Sequence, residues 1–330
     1  MNKEKYTSLE IVILAFFLMN SFVSTIIINL FKGKESLDII VSTAIAFILG
    51  FIVLKLLLNS FGKKIDSKII KIILIICASI FTIYYIFNVS TIIKNVILPE
   101  TSNTIIELIF LILATILAVK GAKSISIASN LFFLIYILVV LISFVFNLFN
   151  VSPINLLPVK INLTNISFFE LLISTISPLF LLLILEKNEF IDFKDFKRKL
   201  SISYFIFYIY FIIKILFILA ILGVKYFNIV NSPEIEILKM INIFNFFERL
   251  EEILIINIFI ENLIATSLSI FYISELANEI LNFKKKVFII VDIIIFLVLT
   301  SISTLPNNYL IIAGSLFIII NIIARKKEIT

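Results

Sequence analysis

Residues 246–262 read FFERLEEILIINIFIEN, with Glu248, Arg249, Glu251 and Glu252 near one end and a lone Glu261 farther on. The first four suit a water boundary. Between them and Glu261 nearly every residue is Ile, Leu, Phe or Asn, so the meaning of Glu261 depends on the solvent around the segment. The rest of the chain supplies that solvent. It is 61% hydrophobic with a mean hydropathy of +1.18. Stretches of largely apolar residues recur along its length, each long enough to cross a hydrocarbon core of about 30 Å. Their number excludes a soluble head on a single anchor. The chain reads as an all-α polytopic membrane protein.

Charged and turn-rich breaks divide it into ten expected transmembrane helices, at about 9–31, 36–58, 69–96, 103–119, 125–149, 168–186, 200–226, 250–277, 286–304 and 308–324. Together they make one transmembrane transporter-like domain over residues 1–330. Placing the N-terminus inside assigns 19 Lys and Arg residues to cytoplasmic pieces and 7 to outer ones, with Lys55 and Lys214 inside spans. That bias follows the positive-inside pattern and places both termini in the cytoplasm. The net charge of +6 is thereby a loop property of a membrane protein, with no nucleic-acid partner implied. With ten spans, the first and sixth run in opposite directions, which permits two inverted five-helix repeats.

The chain has no His, and Cys77 is the single cysteine, inside an apolar run. Imidazole catalysis, cysteine-cluster metal sites and intrachain disulfides are therefore excluded. With no Trp, the interfacial belt falls to Tyr and other side chains. The first apolar run outlasts an ordinary signal-peptide core and reads as a retained helix. No phosphate loop or metal-ligand spacing occurs, so neither an enzyme nor a cofactor is expected.

Polar groups inside the spans mark candidate sites. In FFELLISTISPLF, residues 168–180, Pro178 removes a backbone donor and should kink or open the sixth span, with Ser174, Thr175 and Ser177 able to satisfy the freed groups or present them to a ligand. Asn20 and Ser24 share a face of the first span, where inter-helix bonding is the competing explanation. Tyr84, Asn88 and Thr91 share a face of the third. Glu261 lies about 16 Å beyond Leu250 along a helix, near the bilayer middle, so its side must meet protein or a wet cavity. Lys214 reaches similar depth in the seventh span. A Lys214–Glu261 pair would relieve both desolvation costs as a structural pair; alternatively either residue relays a proton or cation. Asp292 lies nearer an interface, and Lys55 should snorkel.

Three segments resemble one family. SPEIEILKMINIFNFFERLEEILIINIFI, residues 232–260, is similar to its Pro-containing loop and the Arg-Leu-Glu-like element opening the eighth span. NLLPV, residues 155–159, matches its Asn-Leu-Leu-Pro after the fifth span, and VKGAKSISIASN, residues 119–130, its basic loop with Gly. The chain resembles the endospore germination permeases, the B subunits of spore germinant receptors, within the amino acid–polyamine–organocation transporter superfamily. Lys123 and Ile127 stand where the family usually has Glu and then Arg, and the first span lacks the expected glycine.

The resemblance implies a LeuT-like core of two inverted repeats and a small-molecule pocket between the first, third, sixth and eighth spans. Its expected lining is Asn20, Ser24, Tyr84, Asn88, Ser174, Ser177 and Glu261. It further implies a nutrient germinant such as an amino acid, A and C receptor subunits as partners, and the spore inner membrane as location. Two other readings stand beside this receptor: a symporter of amino acids or cations, and a scaffold subunit with a decayed pocket.

Overall fold

The computed structural model describes residues 5–31, 36–63, 65–157, 168–186, 189–230, 233–239, 251–281, 291, 294–295, 298 and 307–325, and their side chains except at 22–31, 36–37, 238–239, 251–254 and 307–308. The described residues are helical with no strand; one isolated bridge joins Tyr6 to Phe190. The helices are α1 (Ser8–Phe31), α2 (Ser36–Ser60), α3 (Lys68–Val96), α4 (Asn103–Val119), α5 (Ala122–Asn147), α6 (Phe168–Ile176), α7 (Phe193–Ile229), α8 (Pro233–Lys239), α9 (Glu251–Leu281) and α10 (Asn307–Ala324). Among the described residues, five helices are long and apolar enough to cross a membrane, and four shorter apolar helices accompany them. The expected ninth span, 286–304, lies almost wholly outside the described residues, as do Asp292, Glu248 and Arg249.

Local chemistry sets several boundaries. Asp192 caps α7 by accepting from the backbone N–H groups of Lys194 and Asp195 at 2.9 and 3.1 Å. That cap starts the helix at Phe193 rather than near 200, adding a charged first turn beyond the apolar run. At its far end Gly223 takes φ 73° and interrupts the helix. Asn155, in the short 3₁₀ turn Pro153–Leu156, donates to the exposed carbonyls of Ala220 and Ile221 at 2.9 and 3.0 Å. The NLLPV motif thus begins with a side chain that closes the end of another helix.

α6 gives way at Ser177 to a buried 3₁₀ stretch, Ser177–Ile184, with Pro178 in its first turn. Such stretches seldom exceed 3–4 residues. α10 comes close here because Gly314 has no Cβ; one added there would collide with Ile173 and crowd Ser177 Oγ at 3.1 Å.

α9 is the most enclosed long helix, with 83% of its most apolar window buried, against 17% for α5. It packs on α3 above all, and on α1, α4 and α5. The stripe Ile105, Ile109, Ile112 and Ile116 on α4 and Leu131, Leu134, Leu138 and Leu141 on α5 face outward. Apolar stripes of this kind suit a lipid surface, which needs no polar partner.

Several loops converge at one end of the bundle. Tyr6 exchanges backbone hydrogen bonds with Glu189 and Ile191. Lys123 reaches the Lys5 carbonyl and forms an ion pair with Glu10 at 2.8 Å. Lys71 meets Glu279 at 2.6 Å. Phe61 packs on Phe190, Phe193 and Phe196, and Arg325 donates to the carbonyls of Lys63 and Leu183. These are the segments that the charge count assigns to the cytoplasm.

Candidate functional site

A cavity lies between α5, α7, α8 and α9, with α1 reaching its edge through Asn20. α7 contributes Tyr210 and Lys214, one turn apart and therefore on one face. α9 contributes Asn257 and Glu261 at the same spacing. Tyr136, Val140, Ser143 and Phe144 come from α5, and Glu234 and Ile237 from the short α8.

Asn20 Nδ2 donates to Glu261 Oε1 at 2.5 Å and to the Tyr136 hydroxyl at 3.0 Å. The Tyr136 and Tyr210 hydroxyls are 2.7 Å apart. Asn257 Nδ2 donates to the Tyr136 carbonyl at 3.3 Å, while its buried Oδ1 has no partner among the described residues. Phe16 of α1 wedges against the rings of Tyr136 and Tyr210, 5.5 and 5.9 Å between centroids, fixing the two phenols. Lys214 Nζ meets Glu234 Oε1 at 2.9 Å, with side chains 14% and 16% exposed, and lies 5.9 Å from the Tyr210 ring centroid.

Among the described residues, the charged groups lining the cavity are Lys214, Glu234 and Glu261. Lys214 pairs with Glu234, and Glu261 brings a second carboxylate to the same space. Glu261 is 3% exposed, and an enclosed carboxylate in a membrane interior requires hydrogen-bond donors and positive charge nearby. Asn20 supplies one donor and Lys214 the nearby charge. The arrangement suits a cation, a proton or a ligand ammonium beside Glu261.

Of the residues expected from sequence, Asn20 and Glu261 meet directly. The side chain of Ser24 lies outside the described residues. Tyr84 is buried, and Asn88 Nδ2 is enclosed with no partner among the described residues. Ser174 donates to the Leu171 carbonyl at 2.8 Å. Ser177 Oγ, also without a described partner, lies by Gly314. Those four residues, on α3, α6 and the 3₁₀ stretch, do not line the cavity that holds Glu261. Lys214 shares that cavity with Glu261, while its direct ion pair is with Glu234. Lys55 stands exposed, its ammonium 4.9 Å from the Phe51 ring centroid, and Cys77 is buried.

Tyr136, Tyr210 and Glu234 were not among the expected site residues. The four-residue spacing of Tyr210 and Lys214 is the sequence signal that would have found Tyr210 on α7. Glu234 follows Pro233 in what reads as a loop, and its role comes from α8 packing on α7, α9 and α5.

A family model described as spore germination protein, the spore permease family, matches residues 37–309. The chain belongs to that family. Among curated proteins no match is found. Membership of the spore germination family, together with the five long apolar helices, makes the chain a multi-pass membrane protein. Its family is one of germination permeases, which points to transport or sensing rather than catalysis.

Proposed function

We propose that this protein is the integral membrane subunit of a spore germinant receptor, binding a small nutrient such as an amino acid and changing shape on binding. The observation that carries this reading is the cavity in which Glu261, bonded to Asn20, faces the same space as Lys214 and Asn257. Carboxylate, ammonium and amide groups complement a zwitterion. Family membership supports the germination context, and with it A and C receptor subunits as partners in the spore inner membrane.

The reading includes ten spans in two inverted repeats. Three contacts support it. α1 packs on α6, α2 on α7 and α3 on α9, each pair five positions apart in the expected order of spans. A pseudo-twofold between halves brings such pairs together. The α1–α3–α6–α9 neighbourhood, holding Tyr84, Asn88, Ser174 and Ser177, belongs to the same proposal as a polar lining deeper in the core.

The test is thermal stabilisation of the purified protein by a panel of amino acids and nucleosides, with Glu261→Gln beside it. A stabilising ligand that fails on the variant is expected. If no compound stabilises either protein while both are folded, the receptor reading gives way to a scaffold with a decayed pocket. The buried carboxylate of Glu261 favours one second reading, a cation-coupled symporter. Ligand-dependent ion flux in proteoliposomes, lost in Glu261→Gln, would establish it.

A further inference from the structure

The cavity is nearly full. Its free volume is about 40 Å³, where one water needs roughly 10–15 Å³, so it holds a few waters and not an amino acid. The group that fills its polar part is movable in principle. Glu234 sits on α8, a helix of 7 residues, too short to be stable without its packing. By contrast Lys214 belongs to the long part of α7 before Gly223, and Asn257 and Glu261 to a helix of 31 residues.

We propose that Glu234 is a built-in stand-in for a ligand carboxylate. It occupies the seat on Lys214 that a zwitterionic ligand takes by exchange, and its displacement releases α8. This rests on the nutrient-binding reading above. In the exchanged state the ligand carboxylate pairs with Lys214, and its ammonium faces Glu261 and the Oδ1 of Asn257, which has no partner among the described residues. The 2.9 Å ion pair is thereby replaced rather than lost, so Lys214 is never left buried without a counter-charge, a costly arrangement. Glu234 moves toward water, and the ligand ammonium joins the polar groups around Glu261. Binding energy is converted into movement at α8, because the ligand and Glu234 compete for one ammonium.

The competition sets the expected result. Purified wild type and Glu234→Gln are titrated with L-amino acids and with the matching α-amides, starting with L-alanine and L-alaninamide. Removing the competing carboxylate should tighten binding of the free amino acid by about tenfold or more, the factor by which an occupied seat weakens apparent affinity. The amide, with no carboxylate to place on Lys214, should gain nothing. Glu234→Asp, which keeps the charge and shortens the reach, should shift affinity the same way by less, and serves where Glu234→Gln does not fold.

An amino acid that binds wild type with unchanged affinity in both variants overturns the exchange and leaves nutrient binding intact. Equal tightening for acid and amide overturns it as well. If no amino acid binds any of the proteins, the nutrient reading fails with the exchange. The latch is then decided without ligand, by maleimide labelling of Ile237→Cys in a Cys77→Ala background. Ile237 is 3% exposed on α8. Faster labelling when Glu234→Gln is added supports a latch; equal protection overturns it.

Discussion

Asn20 makes a bond that neither hydropathy nor spacing could assign, because its partner Glu261 is 241 residues away. A hydrogen bond to a charged group is worth about 1.5–3 kcal/mol, and stranding the charge adds to the loss. Asn20→Leu is therefore expected to destabilise the protein by at least about 1.5 kcal/mol in a reversible detergent unfolding assay. Glu261→Gln should make the same substitution cheaper, so the double variant loses less than the sum of the singles. Strict additivity would mean that the two side chains do not share an interaction. Glu261 itself was legible, since a carboxylate deep in an apolar helix stands out. Tyr136 and Tyr210 were not, because a tyrosine in an apolar run looks like any other aromatic until its hydroxyl finds a neighbour.

The elements show where sequence punctuation succeeds. Pro178 stands at the change from α6 to the 3₁₀ stretch, a consequence of one residue's covalent chemistry. Gly223 and Asn155 show the converse, since neither explains itself alone. The positive φ ends the regular part of α7 and leaves carbonyls that Asn155 covers from a distant turn. Asn155→Ala should thus lower stability by about 1–3 kcal/mol, the range for losing two ordinary hydrogen bonds, without altering the ligand selectivity of the folded protein. A parallel change in selectivity would place Asn155 in the site instead. α8 was illegible as a helix: its seven residues carry too short a pattern, and packing alone defines it.

For the molecule as a whole, composition sufficed to identify a membrane protein, because apolar runs of that length have no other use. The orientation reading is a prediction with a direct check. In a Cys77→Ala background, cysteine placed at Lys225 should react with a membrane-impermeant maleimide in intact cells, and cysteine at Lys197 only after permeabilisation. The reverse result would invert the topology. The one-ended gathering of the N-terminal segment, Lys63, Lys71, Lys123, Phe190 and Arg325 gives that prediction a physical basis. These groups touch through folded contacts that no count of charges contains, so the count and the contacts test each other.

The 3₁₀ stretch has a consequence for length. α6 has 9 residues and the 3₁₀ stretch 8. Wound entirely as α-helix they would reach about 26 Å; with the second part at the longer 3₁₀ rise they reach about 30 Å, the thickness of the hydrocarbon layer. Tighter coiling stretches a short segment to full reach. Rewinding it into the fatter, shorter helix would retract its end by about 4 Å, drawing in the Leu183 carbonyl to which Arg325 is tethered.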